Sequence, residues 1–412
     1  MSNILVLTLG TRGDVQPYVA LALGLRQAGH EVTLATAERY ADFVRGYGVT
    51  CAPFAAQMLD MIDQAEGAKV IAGKNKLAML GMVRKVLPMM RRMMDDIWQL
   101  CAQVRPDLIL YHPKIWMGTD LAEKLGVPAI LAALQPCYTP TREFANPLLT
   151  ARSLGSQLNL ASYCLFNQLA TAPYRGLTNT WRRQTLGLAN RGAVPVPPAI
   201  YAFSRHVQAK PADWADDQLI SGYWFVPPSD SYTPPPELTQ FLAAGPPPIY
   251  IGFGSMPLPN ADKTHALVIE ALQRANVRGI IGQRVPDNAS QPAPHVLYLK
   301  TCPQDWLFQR VAAAVHHGGA GTTAAAFQAG IPMLVCPFFG DQPYWAQRAV
   351  QLGVAPSVLP FKQISVEALT QAFVALSSQP HYTARAQSLA QHIRAENGVA
   401  TAVQIIASYL SH

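Results

Sequence analysis

The sequence predicts an α/β protein with two doubly wound, Rossmann-like domains that face each other across a cleft. In both halves of the chain, short apolar runs alternate with amphipathic helical segments, an order typical of parallel sheets covered by helices on both faces. With 412 residues, half of them hydrophobic, the chain is long enough for two cores. A proline-rich stretch at residues 227–248 separates the two halves.

These observations predict the boundaries of each part. We expect a first domain at residues 1–222, a linker at 223–248, a second domain at 249–392, and at 393–412 a C-terminal helix that returns to the first domain. The dense prolines argue against a helix or a central strand in the linker. Because ligands of doubly wound sheets bind beyond the carboxyl ends of the strands, the cleft between the domains is the expected binding site.

The first half begins with an apolar run at residues 4–9, which predicts a strand buried on both faces. A Gly-Thr-Arg-Gly-Asp loop follows it. A helix is predicted from Pro17, with Gly29 as its stop, because proline favours the start of a helix and glycine favours its end. Further strands are predicted at 31–36, 107–112 and 128–133, with helices at 115–125 and in two insertions at about 60–104 and 141–186.

After the linker, the alternation of strand and helix signals restarts. Strands are predicted at residues 249–254, 278–281, 295–299, 311–316 and 331–335, and helices at 261–275 and 320–329. Beyond residue 366 only helices are predicted. The second half therefore repeats the architecture of the first.

The composition argues against several classes of protein. The net charge of +7 suits an anionic ligand, but no zinc-finger spacing, basic zipper or aromatic-basic sheet signature indicates nucleic-acid binding. The six cysteines lie far apart without a CxxC pair, which favours a reducing compartment over a disulfide framework. No apolar run has the length of a membrane span, and the first run resembles a strand rather than a secretory signal. We therefore expect a cytoplasmic protein.

The strongest motif is a glycine-rich segment at residues 316–323, HHGGAGTT, between a predicted strand and a predicted helix. Glycines let a backbone approach an anion closely, and the amides at a helix start bind phosphate. His317 can donate a ring proton to a phosphate oxygen, and Thr322 and Thr323 can add hydroxyl donors. A glycine-rich turn without a ligand explains the segment equally well. A metal site is less favoured, because adjacent strand residues such as His316 and His317 point to opposite faces.

Two further loops follow predicted strands. Asp341 and Gln342, in PFFGDQ, can bind a polyol through a carboxylate acceptor and an amide donor, although Asp341 can equally cap a helix that begins at Pro343. Asp14, in GTRGD, can act as a general base or can cap the helix predicted near Pro17. This loop has neither a GxGxxG fingerprint nor a Walker lysine, which argues against a dinucleotide or P-loop site.

Five motifs taken together resemble the UDP-glycosyltransferase superfamily: GTRGDVQP, GFGSM, CPQDWLF, HHGGAGTT and FFGDQPYW, in that order. Within it, the chain is most similar to the sterol glucosyltransferase-like branch, which includes bacterial enzymes acting on lipids and antibiotic aglycones. The resemblance implies the GT-B fold and the inverting transfer of a hexose from a nucleotide diphosphate sugar. The expected sugar is glucose, with UDP-glucose as the donor. The expected acceptor is a hydroxyl of a sterol-like, lipid, polyketide or phenolic molecule. The alternatives are a nucleotide-sugar epimerase on the same fold and a non-catalytic partner of a glycosyltransferase; uridine and thymidine both stay open as the donor base.

The resemblance also implies the site residues. The segment that binds the donor diphosphate in relatives corresponds here to His317, Gly318, Gly319, Gly321, Thr322 and Thr323. Ser255 corresponds to a further phosphate contact. Asp341 and Gln342 match the pair that holds the sugar hydroxyls. The backbone near Cys302 and Gln304 matches the nucleobase pocket, but Thr301 stands where relatives carry the tryptophan that stacks on the base.

Asp14 stands at the position of the catalytic base, where many relatives have a histidine. Aspartate is a weak base, but it can serve because the acceptor hydroxyl becomes acidic as its bond to carbon forms. His112 falls near the carboxylate position that orients the base in relatives, and it either assists Asp14 or is a polar residue at a strand end. No DxD pair is present, so the expected reaction needs no metal and no cofactor besides the nucleotide sugar.

Residues 67–94 contain seven basic residues, six of the twelve methionines and no acidic residue. Basic and adaptable apolar side chains together suggest a helical flap that contacts anionic lipid on the inner face of the membrane or covers a lipophilic acceptor. A solvated helix whose methionines pack on the first domain explains the composition as well.

Overall fold

Two parallel β-sheets form the centres of two domains, as the alternation of strand and helix signals predicts. The computed structural model describes residues 1–57, 76–192, 196–227, 232–254, 258, 260–282 and 293–410, with the backbone alone at 76–84.

In the described part of the chain, the first sheet has the strand order β3-β2-β1-β4-β5-β6-β7, with all neighbours parallel. Its strands are β1 (Asn3–Leu7), β2 (Glu31–Ala37), β3 (Thr50–Phe54), β4 (Leu108–Tyr111), β5 (Ala129–Ala133), β6 (Ala199–Tyr201) and β7 (Gln218–Ile220). β1 is central, and its side chains from Ile4 to Leu7 are fully buried because both faces of the sheet are covered.

The second sheet has the order β10-β9-β8-β11-β12 and is also parallel. Its strands are β8 (Ile249–Gly252), β9 (Gly279–Gly282), β10 (Val296–Leu299), β11 (Ala313–His316) and β12 (Met333–Val335). They are short, apolar and almost fully buried, as strands between two helical layers must be.

Helices pack on both sheets. Those of the first domain and the linker are α1 (Arg12–Gln27), α2 (Ala41–Gly46), α3 (Lys76–Val104), α4 (Gly118–Leu125), α5 (Ser156–Trp181) and α6 (Pro236–Ala243). The later helices are α7 (Ala261–Arg274), α8 (Gln304–Leu307), α9 (Ala320–Ala329), α10 (Gln342–Gln351), α11 (Val366–Ser378), α12 (Pro380–Ala395) and α13 (Gly398–Leu410). Within the described ranges, none of them combines the length and apolarity that crossing a bilayer requires.

The start of α1 differs from the sequence prediction. The helix begins at Arg12 rather than at Pro17, because Thr11 and Asp14 form a capping box one turn earlier. The Thr11 amide donates to Oδ2 of Asp14 over 2.7 Å. Asp14 is therefore the third residue of the helix and not the residue before it.

The linker also differs from the prediction, because it contains the helix α6. Pro236 is the first residue of α6, where a missing amide costs no hydrogen bond, and no proline follows within the helix. The sequence analysis also missed β3, β6 and β7. β6 and β7 have three residues each, too few for a periodic signal, and β3 tolerates Pro53 because it lies at the edge of the sheet.

Each sheet has a topological switch point, where ligands of doubly wound proteins bind. In the first sheet β1 lies between β2 and β4, and Leu7 pairs with Tyr111. In the second sheet β8 lies between β9 and β11, and Gly252 pairs with His316. The loops that follow β1, β4, β8 and β11 therefore meet at two crevices.

Side chains of α10 anchor this helix to the first domain. Tyr344 donates its hydroxyl proton to Gln208 Oε1 over 2.5 Å, and Arg348 Nε donates to the Val207 carbonyl over 2.9 Å. The Tyr344 ring lies 5.7 Å from that of Phe144, centroid to centroid. These contacts fix the start of α10 relative to the first sheet.

The last helix, α13, lies on the first domain. Its residues Ala402 and Ile406 are buried in one apolar cluster with Val19 of α1 and Ile4 of β1. The preceding helix, α12, packs on α9 of the second domain. The end of the chain thus joins the two domains a second time.

Candidate active site

Asp14 lies at the switch point of the first sheet, in the first turn of α1. The side chain is buried, with 8% of the residue's surface exposed. Besides the Thr11 amide, its partners include two groups from the loop after β4. The carboxylate therefore serves as a helix cap and is also the centre of a charged cluster.

The first partner of Asp14 is His112. Because Leu7 pairs with Tyr111, the residue after β4 lies beside the loop after β1, and the His112 amide donates to the Leu7 carbonyl over 2.8 Å. Nδ1 of the fully buried ring accepts from the Lys114 amide (3.1 Å), so in the neutral ring the proton is on Nε2. Nε2 lies 3.4 Å from Asp14 Oδ1. Burial lowers the pKa of His112, which keeps the ring neutral.

The second partner is Lys114, which sequence reasoning missed. Its Nζ lies 3.0 Å from Asp14 Oδ2, and its side chain is 47% exposed. Burial favours a neutral carboxyl at Asp14, but Lys114, His112 and the Thr11 amide outweigh it and hold the pKa of Asp14 well below its usual value. The position of Lys114, two residues after His112 at a strand end, was the only signal in the sequence.

Gly10 makes room for this cluster. Its φ is +145°, a conformation that side chains rarely adopt. A Cβ at this position would overlap Asp14 Oδ2 and lie 2.7 Å from Lys114 Nζ. The glycine thus lets the carboxylate and the ammonium group pack directly on the loop after β1.

The two histidines of the glycine-rich segment have different surroundings. His316 ends β11 and is fully buried; its Nδ1 accepts from the Gly318 amide over 3.0 Å, and burial lowers its pKa to about 3. His317 is half-buried, and burial lowers its pKa to about 4, so it is neutral at pH 7. The rings are 6.5 Å apart and almost perpendicular. In the described structure, buried Nδ1 of His317 has no hydrogen-bond partner.

The helix α9 begins within this segment, at Ala320, with Gly319 directly before its first residue. The amides of Ala320, Gly321 and Thr322 occupy its first three positions, which have no acceptor within a helix. Thr323 differs from the expectation: it is buried, and both its amide and its hydroxyl donate to the Gly319 carbonyl over 3.0 Å. Its side chain is therefore committed to the helix and offers no donor to an anion.

Asp341 and Gln342 lie at the start of α10. Asp341 is the residue directly before the helix, but its carboxylate accepts no hydrogen bond from the amides of the first turn. Instead, its Oδ2 accepts from the Trp345 indole over 2.9 Å. Burial raises the pKa of Asp341, and the nearby charge of Asp14 adds to this. Gln342 is buried, and its Oε1 accepts from the amides of Phe338 (2.8 Å) and Phe339 (3.3 Å). The Gln342 side chain therefore also holds the loop that carries Asp341.

Cys302 and Gln304 lie at the start of α8, beside α9. Nε2 of Gln304 donates to the Thr322 hydroxyl over 3.2 Å, which connects the expected nucleobase pocket to the glycine-rich segment. The nearby Trp306 ring contacts two other side chains: the Arg310 guanidinium lies 3.9 Å from its centre, and Tyr232 packs against it.

Ser255, the further phosphate contact that we expect, lies outside the described residues. Its neighbour Gly254 is described, and a Cβ there would lie 2.7 Å from Cε1 of His317. The loop after β8 therefore runs against the His317 ring. Much of the 67–94 segment also lies outside the described side chains.

The two crevices face each other. A Cβ on Gly321 would lie 3.8 Å from the Cα of Gly13, so the starts of α1 and α9 meet across the cleft. Tyr138, which follows β5, is near both carboxylates: burial raises its pKa, and the charges of Asp341 and Asp14 add to the effect. Sequence reasoning missed Tyr138, because no motif marks it. Among the described residues, no three His, Cys, Asp or Glu side chains form a group suited to a metal ion.

Known proteins are similar in sequence to this chain. Residues 4–141 match the glycosyltransferase family 28 N-terminal domain, and residues 268–408 match the C-terminal domain of erythromycin biosynthesis protein CIII-like proteins. Two sterol 3-beta-glucosyltransferases of Arabidopsis thaliana are 34% and 36% identical to this chain. Each match covers 99% of this chain, and the two matches cover 68% and 66% of the length of the plant proteins. The chain belongs to the UDP-glycosyltransferase superfamily. It is a glycosyltransferase of the sterol glucosyltransferase-like branch.

A more distant glycosyltransferase, the UDP-sugar-dependent glycosyltransferase 52 of Dictyostelium discoideum, is 30% identical to this chain. The match covers 99% of this chain but only 26% of the Dictyostelium protein. Solved structures share the fold. The glycotransferase of kitacinnamycin has a TM-score of 0.76 at 20% identity, with 99% of both chains covered. SsfS6 of Streptomyces sp. SF2575, complexed with thymidine diphosphate, has a TM-score of 0.65 at 21% identity, covering 99% of this glycosyltransferase and 100% of SsfS6. The fold is therefore GT-B.

Proposed function

We propose that this glycosyltransferase transfers glucose from UDP-glucose, with inversion and without a metal, to a hydroxyl of a lipophilic acceptor. The observation that carries this proposal is the meeting of two sites across one cleft. A buried carboxylate, Asp14, lies at the switch point of the first sheet, and the glycine-rich helix start of the second sheet, at Gly321, faces it. A base and an anion site so arranged suit a single displacement on an activated sugar.

In this mechanism Asp14 is the base. The acceptor oxygen attacks the anomeric carbon on the face opposite the diphosphate, and its proton passes to Asp14 as the new bond forms. The bond between that carbon and the phosphate oxygen breaks, and its electron pair leaves with the diphosphate. Attack from the opposite face inverts the configuration. Neutral His112, with Nε2 3.4 Å from Oδ1, orients the carboxylate.

The leaving diphosphate is bound by the start of α9. The first amides of this helix point away from the helix body and carry its positive dipole end. We assign the diphosphate to the amides of Gly319, Ala320, Gly321 and Thr322, with the Thr322 hydroxyl and the ring of His317 as further donors; the Gly318 amide is already bonded to His316. Since both histidines of the segment are neutral at pH 7, His317 acts as a hydrogen-bond donor and not as a charge. Asp341 and Gln342 hold the sugar.

The choice of donor and acceptor rests on the relatives. The plant proteins are named sterol glucosyltransferases, and the Dictyostelium protein is named UDP-sugar-dependent. The test is a panel of UDP-glucose, other UDP-sugars and TDP-glucose, each incubated with sterols and phenolic aglycones, with release of free nucleotide and formation of glycoside both measured. UDP-glucose should give a β-glycoside of a lipophilic alcohol. A new sugar isomer formed without any acceptor would contradict transfer and indicate an epimerase.

Replacing His317 with alanine should weaken use of the donor. The variant loses one ring donor at the diphosphate, and a hydrogen bond to a charged group contributes about 1.5–3 kcal/mol, so kcat/KM for the donor should fall by roughly tenfold to a hundredfold. Steady-state kinetics with varied donor measures this. His381→Ala, in α12, is the control. An unchanged kcat/KM for the donor would remove His317 from the donor site.

A chelator should not slow the reaction. Because helix amides, Thr322 and His317 neutralise the leaving diphosphate in this mechanism, EDTA should leave the initial rate unchanged within experimental error. The same assay with added Mg²⁺ or Mn²⁺ should give the same rate. A loss of activity in EDTA that a divalent cation restores would contradict the metal-independent mechanism.

Replacing Lys114 with methionine should change the pH dependence. Lys114 holds the pKa of Asp14 well below its usual value, and the base must be ionised to accept a proton. The acidic limb of the kcat/KM profile should therefore move to higher pH in the variant, because the carboxyl is protonated more easily without the ammonium group. Lys124→Met in α4 is the control. If the acidic limb were identical in both variants, Lys114 would have no effect on the pKa of the catalytic base.

A further inference from the structure

Trp345 of α10 binds Asp341 at two points. Its indole Nε1 donates to Oδ2 of Asp341 over 2.9 Å, and its backbone amide donates to the Asp341 carbonyl over 3.2 Å. A hydrogen bond from a ring N–H to an ionised carboxylate is stronger than one between neutral groups. Because a buried tryptophan usually finds an acceptor for its indole proton, the ring and the carboxylate fix each other's positions.

The Trp345 ring is held in place by its surroundings. Only 1% of the residue is exposed. Phe203, which follows β6 in the first domain, packs edge-on against the ring with 6.4 Å between ring centres. The ring of Tyr344, which is bonded to Gln208 of the first domain, lies 5.2 Å from it. The packing of α10 on the first domain therefore sets the direction of the indole N–H.

The backbone of Asp341 does not orient its carboxylate. A residue that caps a helix normally has an extended backbone, whereas Asp341 has helical angles (φ −79°, ψ −8°) and makes no side-chain cap. The residue is only half-buried, at the edge of the cleft. The bond from the indole is thus what holds this carboxylate in one rotamer.

We propose that Trp345 is a positioning residue for the donor sugar, whose indole N–H fixes the Asp341 carboxylate in the orientation that accepts the sugar hydroxyls. This rests on the proposed function, in which Asp341 and Gln342 hold the sugar. A site binds a hydroxyl selectively only when its acceptor is held in a defined place. If Trp345 served core packing alone, its hydrogen bond would not affect the donor, so the two roles predict different results.

The indole also favours the ionised form of Asp341. Burial raises the pKa of this carboxyl and the charge of Asp14 adds to the effect, whereas the bond from Trp345 lowers the pKa. Without that bond the pKa should rise further, so UDP-glucose binding should weaken at a higher pH on acidification, because a protonated carboxyl is a poorer acceptor. The other titratable or charged groups that interact with Asp341 are Lys114, Cys137 and Tyr138.

The test compares binding of UDP-glucose and of UDP to the parent and to Trp345→Phe, by calorimetry without an acceptor. Phenylalanine keeps an aromatic ring but lacks the N–H. UDP-glucose should bind about threefold to tenfold more weakly to the variant, because one hydrogen bond to a charged group is lost. UDP has no sugar and should bind as it does to the parent. Equal weakening of both ligands would indicate a structural role and overturn the proposal.

Trp181→Phe is the matched control. Trp181 is also fully buried, and its indole donates to Asp95 Oδ1 over 2.9 Å within the first domain. The control loses the same chemical group and should bind both ligands like the parent. Phe203→Leu is a second test variant, which keeps the indole N–H but removes the ring that it packs on. It should weaken binding of UDP-glucose and not of UDP, which tests the proposal even if Trp345→Phe does not fold.

Asp341→Asn separates this inference from the proposed function. It should weaken binding of UDP-glucose and leave UDP unaffected, and adding Trp345→Phe should have little further effect, because both changes remove the same interaction. If Asp341→Asn bound UDP-glucose like the parent, the assignment of Asp341 to the sugar would be wrong, and the positioning role with it. If Asp341→Asn weakened binding but Trp345→Phe did not, or if the two effects multiplied, only the role of Trp345 would be overturned.

Discussion

Asp14→Asn should lose most of its turnover while it still binds the donor. Asparagine keeps an oxygen that can accept from the Thr11 amide (2.7 Å in the parent), so the start of α1 should stay in place. It cannot accept the proton of the acceptor hydroxyl, and a positioned base typically contributes about 10²–10⁴-fold to the rate. We therefore expect kcat to fall by that factor, measured at saturating donor and acceptor.

Donor binding by calorimetry separates this effect from misfolding, because the affinity of the Asp14→Asn variant should match that of the parent. Asp42→Asn, at an exposed carboxylate of α2, is the control and should keep full activity. A kcat within about threefold of the parent would mean that Asp14 is not the base. A large loss of donor affinity would instead mean that Asp14 takes part in binding the donor.

Gly10→Ala should reduce turnover almost as strongly, although it replaces none of the polar site residues. The added methyl group would occupy the space of Asp14 Oδ2 and lie 2.7 Å from Lys114 Nζ. The φ of +145° adds strain. The carboxylate must move, and a shift of about 1 Å at a reacting group can cost roughly 10²-fold in rate. We expect kcat to fall by about that factor.

Gly46→Ala is the matched control, because no atom lies within 4 Å of a Cβ at that position of α2. Thermal unfolding of both variants checks that the first domain is intact. If Gly10→Ala turned over as fast as the parent, close packing of the carboxylate on this loop would not matter to the reaction, and the geometric part of the mechanism would be wrong.

Local signals in the sequence predicted where several of the candidate site residues lie in the fold. Glycines after an apolar run predicted the loop before α9, and Asp341 was predicted to stand before a helix, where it does stand. The hydrogen bonds of these side chains could not be predicted. Asp341 accepts from Trp345 rather than from an amide, and the Thr323 hydroxyl donates to Gly319 rather than facing the cleft. Both depend on rotamers chosen by packing.

The amino-acid sequence by itself determined the two parallel sheets and the order of their main strands and helices, because the period of apolar residues encodes local structure. It also determined the family, through motifs that are continuous along the chain. Only the tertiary structure decided that Lys114 and His112 lie on Asp14, and that Gly13 meets Gly321 across the cleft. Those neighbours are far apart in the chain and come together through strand register and domain packing, which no local pattern of residues specifies.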